Sequence, residues 1–227
     1  MVIGRGLIAN LFLDNDREDI LFFASGVSNS LETRKEEFSR EENMVRSTIA
    51  ENPEKIFVYF STCSIYDSSK ADSSYVLHKL KMEQIIKNNC ERFLILRVSN
   101  AVGKGGNPNL LMNYLVRSVK NNEMINVHTK ATRNLIDADD IKKITFSMIE
   151  GQALNKIVNV AYPQNYTIIE ILEVVERFYN TKLELNLIKS GSGYDINVSD
   201  VEYHFIENNL TDKDSYLCDI LQKYYSL

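Results

Sequence analysis

The chain has no excess of basic residues. Its 26 Lys and Arg face 31 Asp and Glu, a formal net charge of −5, so it lacks the electrostatic footprint of a nucleic-acid binder. No apolar run approaches the ~20 residues that cross a bilayer, and no membrane contact is expected. The three cysteines, Cys63, Cys90 and Cys218, show no metal-type spacing and leave one over. They read as reduced thiols in a cytoplasmic protein without a metal site. No basic stretch leads into a long apolar one at the N-terminus, so no signal peptide is expected. Only three prolines are present, and neither an internal repeat nor a low-complexity tract stands out, which argues against disorder. What remains is an ordinary globular composition, 44% hydrophobic and 25% charged over 227 residues. That is enough for one domain, or for one domain and a smaller lobe. His78, His128 and His204 are scattered and are expected to be structural or exposed.

The chain is organised around Ile56 to Lys79. Ile56-Phe57-Val58-Tyr59-Phe60 is apolar without alternation, the mark of a strand buried on both faces in a parallel sheet. Ser61-Thr62-Cys63-Ser64-Ile65-Tyr66 follows at its C-terminal end. After a polar loop comes Tyr75-Val76-Leu77-His78-Lys79. If that segment is helical, Tyr75 and Lys79 share a face. Ligands of open α/β sheets sit beyond the carboxyl ends of the strands, so Thr62, Tyr75 and Lys79 can converge there. A cation beside a phenol favours the phenolate, which lets the phenol exchange a proton with an alkoxide. A neighbouring hydroxyl can hold the substrate oxygen. The trio suits hydride transfer at a carbinol or ketone, with a cofactor taking the hydride. Tyr-x-x-x-Lys alone also describes an ordinary exposed helix pair; the Ser-Thr just upstream gives it weight.

Upstream, Met1-Val2-Ile3 leads into Gly4-Arg5-Gly6-Leu7-Ile8-Ala9, a G-x-G-x-x-A turn suited to the approach of a pyrophosphate. Leu7, Ile8, Leu11 and Phe12 have helical spacing. After the polar turn Asp14-Asn15-Asp16-Arg17-Glu18, Asp19 to Ala24 is already a second buried strand. The interval holds one strand–helix–strand unit and no more, so the acidic residue that usually holds an adenosine ribose is not visible. The choice between NAD and NADP therefore stays open. The small loop Ser25-Gly26-Val27-Ser28-Asn29-Ser30 suits close contact with a cofactor. Glu32 to Glu42 reads as a solvated charged face, with Val45 and Ile49 turned to the sheet. Asn52-Pro53 stops that helix.

Downstream, Met82, Ile85 and Ile86 continue the Tyr75 helix, and Phe93 to Leu96 is another buried strand. Arg97 to Gly103, with Lys104-Gly105-Gly106-Asn107-Pro108, reads as a polar, glycine-rich binding mouth. Leu110 to Leu115 marks an amphipathic helix. Strands are expected at 124–128, 132–136, 157–160 and, half exposed, 182–188. Thr167 to Glu170 is a capping box opening a helix to Tyr179. Gly191 to Asp200 reads as a loop and Thr211 to Tyr225 as a closing helix.

In this order the motifs resemble the extended short-chain dehydrogenase/reductases, the NAD-dependent epimerase/dehydratase family. The resemblance is carried by Gly4 to Ala9, Asp19 to Gly26, Phe60 to Tyr66, and Tyr75 to Lys79 with Glu83. It continues in Leu96-Arg97-Val98-Ser99-Asn100-Ala101-Val102-Gly103 and in Arg133 to Asp140. It implies an α/β fold: a Rossmann-like parallel sheet flanked by helices, here lacking one or two early strands, with a small C-terminal α/β substrate lobe. The implied domains are 1–105, to which about 134–162 return, and 106–227. It also implies an NAD or NADP cofactor held by Gly4, Arg5, Gly6, Leu7, Ile8, Ala24, Ser25, Gly26, Tyr75 and Lys79. Catalysis falls to Thr62, Tyr75 and Lys79, and a nucleotide-diphosphate sugar is contacted by Ser64, Asn100 and Arg133. An arginine fork matches phosphate oxygens. Such proteins often form homodimers.

The departures narrow the chemistry. Val76 stands where the family often has Gly. Cys63-Ser64 replaces the Asp-Glu pair of its 4,6-dehydratases, which argues against dehydration, and no further acid/base for 3- or 5-epimerisation is evident. The trio alone serves 4-keto reduction or C4 epimerisation. The alternative is a degenerate member that binds a nucleotide sugar or acts as a regulatory subunit, motivated by the missing adenosine strand.

Overall fold

The unbroken apolar runs of the sequence become the strands of one parallel sheet in the computed structural model, which describes residues 1–14, 17–105 and 110–226. Asn15 and Asp16 of the polar turn, and Gly106-Asn107-Pro108 of the expected binding mouth, lie outside the described residues. Two compact units divide the chain: Met1–Val98 with Ala138–Val160, and Ser99–Asp137 with Ala161–Leu227. The first begins with β1 (Val2–Ile3), α1 (Leu7–Asn10), β2 (Ile20–Phe23), α2 (Lys35–Glu51), β3 (Ile56–Thr62), α3 (Ser74–Asn89) and β4 (Phe93–Val98). The chain passes to the second unit for β5 (Asn100–Val102), α4 (Leu111–Lys120), β6 (Ile125–His128), β7 (Thr132–Arg133) and β8 (Leu135–Asp137). It re-enters the first with α5 (Ala138–Glu150) and β9 (Lys156–Val160). The rest belongs to the second unit: β10 (Tyr166–Thr167), α6 (Ile168–Tyr179), β11 (Leu185–Ile188), α7 (Glu202–Glu207) and α8 (Lys213–Tyr225).

The sheet order is β1-β2-β3-β4-β9, and every pairing is parallel. This is the Rossmann-like α/β architecture expected, and β1 is its edge: among the described residues no strand pairs on its far side. β2 and β3 are buried throughout, because helices cover both faces. On one face α2 and α3 bring Val45, Ile49, Met82, Ile85 and Ile86 onto Leu21, Phe23, Phe57, Tyr59 and Ile95. The alternate residues of the same strands point the other way. There Phe12 stacks on Phe22 at 4.2 Å between ring centroids and lies beside Phe60 and Phe146 of α5. Phe12 thus follows, rather than continues, a one-turn α1. The helical spacing of Leu7 to Phe12 reflects core anchoring more than a long helix.

Ser73 caps α3, accepting from the Val76 amide at 3.2 Å, and this cap fixes where Tyr75 falls in the first turn. In the second unit Thr167 and Glu170 form the expected capping box. Four local readings change, the first at 132–136, where one expected strand is two: β7 pairs antiparallel with β10 and β8 parallel with β5. Asn100–Val102 is a short strand paired with β8, not part of an open loop. The segment at 182–188 contributes strand only over Leu185–Ile188, paired parallel with β6. A further helix, α7, precedes the closing one.

Candidate active site

Thr62 ends β3, and its Oγ1 accepts from the Ser64 amide at 3.0 Å, capping the short 3-10 turn Cys63–Tyr66. That acceptance leaves its O–H hydrogen free to donate. Ser64 lies in the same turn, half-buried. Cys63 is buried beneath, its thiol donating to the Arg97 carbonyl at 2.9 Å. Burial pushes that thiol up to about 12, which removes it as an acid/base near neutral pH.

Tyr75 packs against Val27 and Val76, with Phe38 and Ile65 beside them. Only 7% of the residue is exposed. Among the described residues its hydroxyl has no hydrogen-bond partner, yet it is not sealed off. One turn later Lys79 points inward and is 3% exposed. Its Nζ donates to Glu41 Oε1 and to the Tyr59 hydroxyl, both at 3.0 Å. Tyr59 donates in turn to Glu41 Oε1 at 2.6 Å. The other oxygen, Oε2, accepts from the Val27 amide at 2.6 Å and lies 3.0 Å from His78 Nε2. Glu41 is completely buried. Burial alone would raise its carboxyl, but the Lys79 ammonium, His78, Tyr59 and the Val27 amide outweigh that and hold it well below the ordinary 4.5. Burial, reinforced by the Glu41 charge and by nearby Tyr75, pushes Tyr59 well above 10.0.

Glu41 corrects the reading of Glu32 to Glu42 as a solvated face. Its signal was present in the spacing: Glu41, Val45 and Ile49 recur every four residues, so Glu41 sits on the buried stripe. His78 is structural, as expected of a lone histidine.

A second, partly buried network flanks the first. Glu83 accepts from Ser61 at 2.6 Å and takes Arg97 in a fork at 3.0 and 2.7 Å. Arg97 also donates to the Tyr66 hydroxyl, which donates to Asn159. Burial lowers the Arg97 guanidinium, but Glu83 more than reverses this and raises it. Glu83 and Arg97, two markers of the resemblance, are therefore partners of each other.

At the other candidate positions, Gly4 has φ +135° and a Cβ there would run into the Ala24 carbonyl. Its glycine is required by the packing of the turn onto the end of β2. Arg5 and Gly6 are exposed, Leu7 and Ile8 half-buried, and the space over Gly6 is open. Arg40 donates to the Ser25 side chain and carbonyl at 3.4 and 3.3 Å. At Gly26 a Cβ would come within 2.5 Å of Lys79 Nζ and 2.7 Å of Glu41 Oε1. This glycine lets the backbone close over the ion pair. In the second unit, Asn100 Nδ2 donates to the Asn134 carbonyl at 2.7 Å. Arg133 Nη1 donates to the Thr132 carbonyl at 2.7 Å. Among the described residues no group of three His, Cys, Asp or Glu could hold a metal ion, and no helix is long and apolar enough to cross a membrane.

Residues 8–161 match the model of the NAD dependent epimerase/dehydratase family. No curated protein matches the chain by sequence. Among solved structures, RMD from Pseudomonas aeruginosa complexed with NADPH is 14% identical with a TM-score of 0.69, covering 97% of this chain and 87% of that one. The UDP-N-acetylglucosamine 4-epimerase of Methanobrevibacter ruminantium M1, in complex with UDP-N-acetylmuramic acid, is 15% identical with a TM-score of 0.69, covering 96% and 82%. The UDP-glucuronic acid 4-epimerase of Bacillus cereus in complex with NAD is 17% identical with a TM-score of 0.64, covering 96% and 78%. At these identities the likeness is one of fold.

Proposed function

Because the chain belongs to the NAD-dependent epimerase/dehydratase family, we propose that it is an NAD- or NADP-dependent nucleotide-sugar 4-ketoreductase or 4-epimerase with Tyr75 as its acid/base. The observation that carries this reading is the Tyr75 phenol: unpaired among the described residues, unsealed, and one turn from a buried ammonium.

The residues fit a nicotinamide dinucleotide in part. The turn from Gly4 to Ile8 leaves Arg5, Gly6 and the space above them free for a pyrophosphate, with Ala24, Ser25 and Gly26 beside it at the end of β2. The adenosine half would lie toward β1, an edge strand with no described neighbour on its far side, and the choice between NAD and NADP stays open. When bound, the cofactor supplies or removes hydride at the sugar carbon. Tyr75 gives its proton to the alkoxide formed on reduction, or takes the carbinol proton on oxidation. Thr62, whose oxygen is already an acceptor, uses its hydrogen to hold the same substrate oxygen, with Ser64 next to it. Asn100 and Arg133 contact the sugar nucleotide, the arginine on its diphosphate. The nucleotide-sugar ligands and substrates of the neighbouring 4-epimerases support this substrate class. Cys63, with its high thiol pKa, supplies no acid of the kind dehydration needs.

A second reading has its own observation. Lys79 is committed to Glu41 and Tyr59, and β1 is an edge, so a chain that binds a nucleotide sugar without a dinucleotide would keep this fold. Calorimetric titration separates the two. The first reading expects micromolar binding of NADH or NADPH. Binding of a UDP-sugar with no heat from either dinucleotide would favour the second.

A further inference from the structure

We propose that Gly193 is a positioning residue for binding of the nucleotide sugar: it lets the segment 190–193 seat itself on β7, and β7 then holds the Arg133 guanidinium ready for the diphosphate. This rests on the reading of Arg133 as a diphosphate contact and deepens it by naming what orients the arginine.

Every link lies within the second unit and is a direct contact. After β11 the chain runs along residues 130–132. The Lys130 amide donates to the Ser190 carbonyl at 3.0 Å, and the Thr132 amide to the Ser192 carbonyl at 3.4 Å. Two glycines make this approach possible. Gly191 has φ +107°, and a Cβ there would stand 2.8 Å from the Ala131 nitrogen. At Gly193 a Cβ would overlap Thr132 Oγ1 and stand 3.0 Å from Thr132 Cβ. No side chain fits at Gly193 while Thr132 keeps its place. Thr132 also pairs with Thr167 of β10, so its peptide is held by two segments. Its carbonyl accepts from Arg133 Nη1 at 2.7 Å. Among the described residues that is the only hydrogen bond of the Arg133 side chain, and no carboxylate pairs with it. The half-buried guanidinium keeps most of its five N–H donors for an anion, at an orientation set from the Thr132 peptide. An arginine ordered before its ligand arrives loses less freedom on binding. Gly193 therefore adds to affinity without touching the ligand.

The test is calorimetric titration of the full chain with UDP, dTDP and GDP, taking the one bound most tightly as the probe. Gly193→Ala is expected to weaken that diphosphate about tenfold, the worth of one hydrogen bond to a charged group. In an Arg133→Ala background the same substitution should change affinity by less than about threefold, because its effect runs through the arginine. Adding Thr132→Ala to Gly193→Ala trades side-chain volume across the contact and should return affinity to within about threefold of the parent. Unchanged affinity in a folded Gly193→Ala would overturn the proposal. So would a loss that adds fully to that of Arg133→Ala, as a general loosening of the fold would give, or a double variant with no recovery.

A ligand-free measurement covers a Gly193→Ala that fails to fold. NMR relaxation of the arginine Nε–H groups in the free parent should show Arg133 ordered, with an order parameter above about 0.7, and the exposed Arg5 below about 0.6. Gly193→Ala should lower the Arg133 value toward that of Arg5, and the Thr132→Ala, Gly193→Ala double variant should restore it. Equal mobility of Arg133 and Arg5 in the parent would overturn the proposal, and so would a mobile Arg133 in the double variant. If the parent binds none of the three diphosphates, the reading of Arg133 as a substrate contact fails on that titration alone. The relaxation series still decides whether Gly193 orients the arginine.

Discussion

Tyr75→Phe is expected to fold like the parent and to lose turnover by about 10²- to 10⁴-fold, the usual contribution of a positioned acid/base. The substitution removes one oxygen. The ring keeps its packing on Val27, Val76, Phe38 and Ile65. Because the hydroxyl has no partner among the described residues, its loss leaves no buried donor or acceptor behind, and stability should change by no more than about 0.5 kcal/mol. Chemical denaturation and steady-state rates, measured on the same preparation, check both halves. A large loss of stability would mean that the phenol is a structural group. Unchanged turnover would remove it from the mechanism.

The largest effect on stability is expected at Glu41 and Lys79. Lys79→Met leaves a buried carboxylate facing only neutral donors and His78. Glu41→Gln puts an amide N–H against either the ammonium or the Val27 amide, whichever way the amide is turned. Removing one member of such a pair costs about 3–5 kcal/mol. The double variant satisfies what each single one breaks: the Gln oxygen accepts from Val27 and His78, its nitrogen donates to the Tyr59 oxygen, and the methionine fills the lysine's volume. Its loss should fall well short of the sum, with a coupling of about 2 kcal/mol or more. Additive losses in urea denaturation would mean that the two groups do not act as a pair.

The pH dependence follows with a definite sign. The Glu41 carboxyl sits below its ordinary 4.5 in the folded chain, so its stabilisation is complete above that value. It is lost as pH falls from there toward the lower folded value. The double variant should lack that part of the acid destabilisation.

These two sites also show what the sequence does and does not reveal. The strands were legible because a parallel sheet covered on both faces leaves long apolar runs, as at Ile56–Phe60 and Phe93–Leu96. The start of α3 was legible because Ser73 precedes it as a cap, and the shortness of the unit between β1 and β2 because the chain has no room for more. Glu41 was hidden in a run of charges whose average is solvated; only its spacing from Val45 and Ile49 marks it. The commitment of Lys79 could not be read from Tyr-x-x-x-Lys either, because that motif fixes a helix face and says nothing of what another helix brings to it. Asn100 reads as a loop residue because its strand is three residues long and pairs with a partner distant in sequence, β8. So short a segment carries no period to detect.

The central claim is that this chain performs Tyr75-dependent hydride chemistry at C4 of a nucleotide sugar, and a conversion assay tests it most directly. The purified chain and its Tyr75→Phe variant would each be incubated with UDP-, dTDP- and GDP-linked hexoses and their 4-keto forms, with NAD(H) or NADP(H). Products would be followed by NMR and by the near-ultraviolet absorbance of the reduced nicotinamide. The account predicts that the parent inverts C4 or consumes reduced nicotinamide on at least one of these sugars, and that the variant does neither at a comparable rate. Equal conversion by both proteins, or none by a parent shown to bind both dinucleotide and sugar, would contradict it.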